Sequence, residues 1–132
     1  MSKSTKKYIY KLLESAKKIE EITDKENFSS FLAPKSWIIR DAVARRFLII
    51  ASVSEILFNK HMEFCMKYPE IPFSAMQGMK RYLTEIQDGD IDWAIVWQTT
   101  QEKIPELIKH CDEVISATAS LDLLGDIEIH IC

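Results

Sequence analysis

The sequence predicts an all-α protein, an up-and-down bundle of four to five helices with a short C-terminal strand. Three observations carry that expectation. Apolar residues recur at steps of three and four along nearly the whole chain; helix-breaking residues gather at only a few places; and the chain has only three glycines. Its 132 residues, 47% of them apolar, suffice for one sizeable core and not for two.

The first helix is marked by Ile9, Leu12, Ala16, Ile19 and Ile22. TDKENFSSFLAP then interrupts the pattern with turn formers and Pro34, although Phe28, Phe31 and Leu32 suit a short docked turn of helix. A second helix is expected from Lys35 or Ser36. Its seam runs Ile39, Val43, Phe47, Ile50, Val53, Leu57 and Phe64, about 30 residues in one piece. YPEIPF, with Pro69 and Pro72, ends it, because proline removes a backbone donor and disfavours helix in the residue before it.

Ser74 is the candidate cap of a third helix, whose core face is Met76, Met79, Leu83 and Ile86 before DGD at 88–90 stops it. The last seam is Trp93, Trp97, Thr100, Ile104, Leu107, Cys111 and Val114. Its phase survives Pro105, which predicts one kinked helix or two collinear ones. Trp93 and Trp97 are expected to pack, and Trp37 to seal the start of the long helix. Residues 1–118 thus form the helical domain and 119–132 a C-terminal extension. In that extension Ile127, Ile129 and Ile131 alternate with Asp126, Glu128 and His130, which is strand periodicity. One strand cannot satisfy its own ladder, so the tail is expected either to fray or to pair with the same tail of a second subunit or a partner's sheet edge.

Several chemistries are excluded or disfavoured. There is no glycine-rich phosphate loop, no zinc-binding histidine pair on a helix and no nucleophile elbow, so neither cofactor nor metal is expected. Cys65, Cys111 and Cys132 have no metal-type spacing, and a reducing cytoplasm is the expected location. The charged N-terminus lacks a secretory apolar core, and no apolar run approaches the length of a membrane span. A formal charge of −3 gives no global attraction to RNA. Basic residues gather only weakly, as Arg40, Arg45 and Arg46 on the second helix and Lys80 and Arg81 on the third. His61, His110 and His130 stand apart from one another.

The stretches KKIEEIT, FSSFL, IRDAVARRFLII, YPEIPFSAMQGMKRYLT and IDWAIVWQTTQEKIPELIKHCDEVI make the chain resemble the HepT-like branch of the HEPN superfamily over about residues 8–116. The resemblance implies a small helical homodimer, bound by a minimal nucleotidyltransferase of the MNT type in a toxin–antitoxin-like pair. It also implies a metal-independent endoribonuclease whose motif is an arginine, four to six residues beginning with a polar one, then a histidine. Many members add a tyrosine two residues further that accepts adenylate from the partner.

Aligning the family's Gly-Met with Gly78 and Met79 puts the arginine at Lys80, the polar residue at Arg81, the histidine at Glu85 and the tyrosine at Gln87. No arginine of this chain is followed by histidine at the required distance. The resemblance therefore implies a degenerate subunit that binds a cognate nucleotidyltransferase, with ribonuclease activity lost or weak. Two alternatives stay open: an active endoribonuclease using Lys80, Arg81 and Glu85, and a nucleotide or small-molecule substrate-binding subunit. Helical geometry sets Arg81 and Glu85 one turn apart, away from the core face, where they suit an exposed ion pair. Tyr82, beside the core, suits packing.

Overall fold

In a computed structural model of the protein, the backbone is described for residues 1–85 and 90–131, and the side chains for 1–84 and 90–119. Among the described residues six α-helices follow one another: α1 (Lys3–Thr23), α2 (Phe28–Leu32), α3 (Trp37–Lys60), α4 (Met62–Lys67), α5 (Phe73–Glu85) and α6 (Trp93–Ile131), with a 3-10 turn at Pro34–Ser36. α1 packs on α3 and α6, and α3 packs on α5. The all-α bundle is as the periodicity predicts.

Local chemistry explains the ends of the elements. Ser2 caps α1 by accepting the Thr5 N–H at 3.1 Å. At the other end the Thr23 hydroxyl donates to the Ile19 carbonyl at 2.8 Å. Asn27 and Ser30 bracket α2 reciprocally: Ser30 N–H donates to Asn27 Oδ1 and Asn27 N–H to Ser30 Oγ, both at 2.9 Å. That capping box lets five residues hold a helical turn, and the turn exists to bury Phe31 completely. Phe31 sits 5.2 Å from the Trp97 ring and 6.4 Å from Trp93, fastening α2 to the start of α6.

The core seams are mostly the expected ones. Ile9, Leu12, Ala16 and Ile19 of α1 meet Val43, Phe47, Ile50 and Leu57 of α3, with Ile104, Leu107, Cys111 and Val114 of α6. Met76 and Met79 are buried on α5 and Leu83 packs partly against them, while Ile86 lies outside the described residues. Pro105 stays inside α6 without ending it. Cys111 is fully buried, and burial pushes its thiol up to about 12. The folded protein therefore keeps the thiol protonated where an unfolded chain would ionise it, so the contribution to stability is complete below about pH 9 and is lost as pH rises from there toward about 12. Iodoacetamide at pH 8 is expected to leave Cys111 unmodified in the native protein and to modify it in denaturant, read by peptide mass spectrometry.

Four expectations are corrected. The long second helix is broken at His61, whose φ of −135° and ψ of 46° end α3 and begin α4. The seam runs through the break because Leu57 and Cys65 remain in one core, and periodicity does not register a single non-helical residue. α5 starts two residues earlier than a Ser74 cap allows, with Met76 N–H bonded to the Pro72 carbonyl at 3.1 Å. Trp37 is 57% exposed and seals nothing. Most consequentially, the tail is not a strand: α6 continues through Ile131. A helix satisfies its backbone groups internally, whereas the described residues offer a lone strand no ladder to join. Cys132 lies outside the described residues.

Candidate functional site

Lys80, Arg81 and Glu85 sit on the last two turns of α5, and Lys80 is held by another helix. Lys80 Nζ lies 3.1 Å from Glu55 Oε2 of α3, with the two side chains 43% and 49% exposed. So exposed a pair contributes between nothing and about 1 kcal/mol to stability. Its chemical effect is larger than its energy: the Lys80 cation already has a carboxylate as neighbour.

Lys80 and Glu55 line an open groove of about 540 Å³ with Ser74, Gln77, Gly78, Arg81 and Thr84. Ser74, Gln77, Gly78, Arg81 and Thr84 follow helical steps and give α5 a polar outer stripe. A Cβ on Gly78 would meet nothing within 4 Å, so neither packing nor backbone strain demands a glycine there. The Thr84 hydroxyl turns back to the Lys80 carbonyl at 2.7 Å, which leaves it out of the groove's chemistry. Arg81 is exposed on this stripe, as its angular position predicts. The side chain of Glu85 and all of Gln87 lie outside the described residues, as does the expected Arg81–Glu85 pair.

Tyr82 has a role beyond packing. The Asp92 N–H donates to its hydroxyl oxygen at 2.6 Å, and the hydroxyl donates to the Asp92 carbonyl at 3.3 Å. Asp92 in turn accepts the Ala94 N–H at 3.0 Å through its carboxylate and so caps α6. These contacts tie the end of α5 to the start of α6 on either side of Glu85 and Gln87. Tyr82→Phe removes both bonds and is expected to cost about 1 kcal/mol in urea denaturation, with the spectrum of the native fold retained.

The weak basic cluster on α3 is divided by the fold. Arg40 Nη1 donates to the Phe31 and Ala33 carbonyls, both at 2.7 Å, and the guanidinium stands 5.8 Å from the Trp93 ring centroid. It is a clip for α2. Arg45 and Arg46 instead line a groove between α1 and α3 with Lys18, which Glu14 engages at 3.0 Å. Neither arrangement joins Lys80 and Arg81 into one basic surface. Among the described residues no group of three or more His, Cys, Asp or Glu side chains gathers to hold a metal, and no helix is long and apolar enough to cross a membrane.

Sequence reasoning found Lys80 and Arg81 but missed Glu55 and Asp92. Glu55 lies 25 residues from Lys80, on the flank of a seam that gives no hint of which neighbour it meets. Asp92 carried a signal, as a capping residue type just before the Trp93 seam.

Comparison with known proteins agrees with the geometry. The family model described as Ribonuclease HepT-like matches residues 12–114. Putative RNase MJ1380 of Methanocaldococcus jannaschii is 32% identical over 115 residues, 86% of this chain and 100% of the relative. Putative RNase MJ0127 of the same organism is 30% identical, over 86% of this chain and 88% of its own. A third relative there, Gamma-glutamylcyclotransferase and putative RNase MJ0434, is 33% identical over 92% of this chain and 51% of its own. No solved structure matches. A bundle of this order, with Gly78, Lys80 and Arg81 lining a groove on α5 and a family match across most of the chain, belongs to the HepT-like family of the HEPN superfamily.

Proposed function

We propose that this chain is a degenerate HepT-like subunit, a homodimer that binds a cognate minimal nucleotidyltransferase and has lost most or all ribonuclease activity. The observation that carries the reading is the set of residues at the motif positions: Lys80, Glu85 and Gln87 stand where the family has arginine, histidine and tyrosine. Cleavage through a ribose 2′-hydroxyl needs a group that exchanges a proton near neutral pH, which histidine does unperturbed. Glutamate does so only when its surroundings raise its pKa by about two units, and as a carboxylate it repels the RNA phosphate. Lys80, already beside Glu55, offers a point charge in place of a two-pronged donor. Adenylation at the family's tyrosine position has no acceptor here, because position 87 is glutamine.

Binding is what the surface retains. Phe28, Trp37, Ile38 and Ile95 are exposed apolar side chains available to a second copy or a partner. Co-expression with the nucleotidyltransferase encoded beside the gene is expected to give a complex that survives size-exclusion chromatography, and light scattering of the chain alone is expected to give twice its 15.3 kDa mass. Separate elution of the two proteins, together with a monomeric mass, would count against the reading.

The names of the relatives favour a second reading, an active ribonuclease that uses Lys80, Arg81 and Glu85 in place of the usual residues. RNA cleavage abolished by Glu85→Ala distinguishes it.

A further inference from the structure

A second cavity, an open pocket of about 610 Å³, lies where the start of α1, the α3–α4 junction and Thr118 of α6 meet. It shares no lining residue with the Lys80 groove, so the motif does not account for it.

One wall is a chain of hydroxyls that ends on an imidazole. Thr5 is 4% exposed, and its N–H donates to Ser2 Oγ at 3.1 Å. Its hydroxyl oxygen lies 2.8 Å from Ser2 Oγ and 3.2 Å from His61 Nδ1. Nε2 is left as the ring nitrogen without a hydrogen bond among the described residues. When Ser2 donates to Thr5 and Thr5 donates to Nδ1, the ring proton sits on Nε2; with the chain reversed, Nε2 is an acceptor. A ligand that only accepts hydrogen bonds selects the first arrangement. The break at His61 is what brings this ring to α1.

The other wall sets aromatic rings beside cations. Phe64 and Tyr68 line the pocket one helical turn from each other, with ring centroids 4.9 Å apart, and Lys67 Nζ stands 5.7 Å from the Tyr68 centroid. Lys60 lines the pocket too, and both lysines are exposed. Neither of them, nor Glu63 between them in the sequence, forms an ion pair among the described residues. Two lysines less one glutamate leave the lining side chains with one net positive charge. One carboxylate neutralises that charge, whereas a phosphate group exceeds it.

We infer that this pocket binds a small aromatic monocarboxylate, its ring against Phe64 and Tyr68 and its carboxylate on Lys60, Lys67 and His61 Nε2. The volume is in the usual range for small ligands. The rings supply an apolar anchor, and the lysines and the Nε2 proton supply charge-assisted donors to an acceptor-only group. Because Lys67 stands beside Tyr68, the acid needs only a short linker from its ring. A neutral aromatic compound leaves the lysines unmatched, and a small inorganic anion leaves the rings idle. The inference rests on neither reading of RNA cleavage, and its test reads binding alone.

Isothermal titration calorimetry of the full chain with 3-phenylpropionate and indole-3-acetate is the test, with 3-phenylpropionamide, acetate and AMP beside them. At least one of the two aromatic acids is expected to bind with a dissociation constant below about 1 mM, and the amide, acetate and AMP each about tenfold more weakly or worse. Lys60→Gln with Lys67→Gln is expected to weaken binding of that acid about tenfold or more, and Tyr68→Leu about threefold or more. Lys103→Gln, outside the pocket on α6, is expected to change nothing. The two lysines are at exposed positions, so their variants keep the test valid even if Tyr68→Leu does not fold. The same chemistry is found in a free acid and at the end of a peptide. N-acetylphenylalanine binding more tightly than 3-phenylpropionate points to the peptide end and the reverse order to the free acid, and either order supports the site. No binding of either aromatic acid overturns the proposal. So does the amide or AMP binding as tightly as the acids, or affinity indifferent to the lysine pair.

Discussion

Phe31→Ala is expected to lower the stability of the protein by about 3–5 kcal/mol, the largest effect of any single truncation named here. The reason is where the ring sits. α2 has only five residues, far fewer than a helix needs to persist alone, so its order comes from what it buries. Phe31 is its buried residue and reaches both Trp93 and Trp97. Truncating it leaves a cavity between α2 and α6 and deprives Arg40 of a fixed carbonyl to clip. Urea denaturation followed by tryptophan fluorescence reads the loss directly, since two of the three tryptophans face the ring. Phe28→Ala, one turn away and exposed, is expected to cost well under 1 kcal/mol.

The second large effect is a gain. Lys80→Arg combined with Glu85→His is expected to raise cleavage of unstructured RNA by about 100-fold or more over the unmodified chain, because positioned general acid–base groups typically contribute factors of about 10² to 10⁴. Each change alone is expected to do less. Arginine without histidine has no proton shuttle, and histidine without arginine leaves the phosphate to a lysine paired with Glu55. Adding Glu55→Gln to the double variant removes that competing carboxylate and is expected to increase cleavage further. No gain in any of these would mean that the surrounding groove has diverged along with the motif.

Much of the fold was legible because it is one kind of pattern repeated. Ile9 to Ile19, Val43 to Leu57 and Ile104 to Val114 each state a buried helix face, and each is buried. The tail shows the limit of the same method. Alternation over Asp126–Ile131 is compatible with a strand, but six residues are too few to outweigh helix propagation from a long preceding helix, and the backbone continues helically. His61 marks another limit, since a one-residue break leaves the seam's phase intact. At the candidate site, the identities at 80, 81, 85 and 87 follow from aligning a motif. What surrounds them does not: Glu55 meets Lys80 across 25 residues, and Tyr82 meets Asp92 across ten, through packing that no local pattern states.

In the proposed function the frame of a ribonuclease remains here without its proton-transfer group. Incubating the purified chain with unstructured RNA and with tRNA, in the presence of EDTA, beside its Glu85→Ala variant tests it most directly. No cleavage above the level shared by the two proteins is expected. Metal-independent cleavage by the unmodified chain that Glu85→Ala abolishes would contradict it.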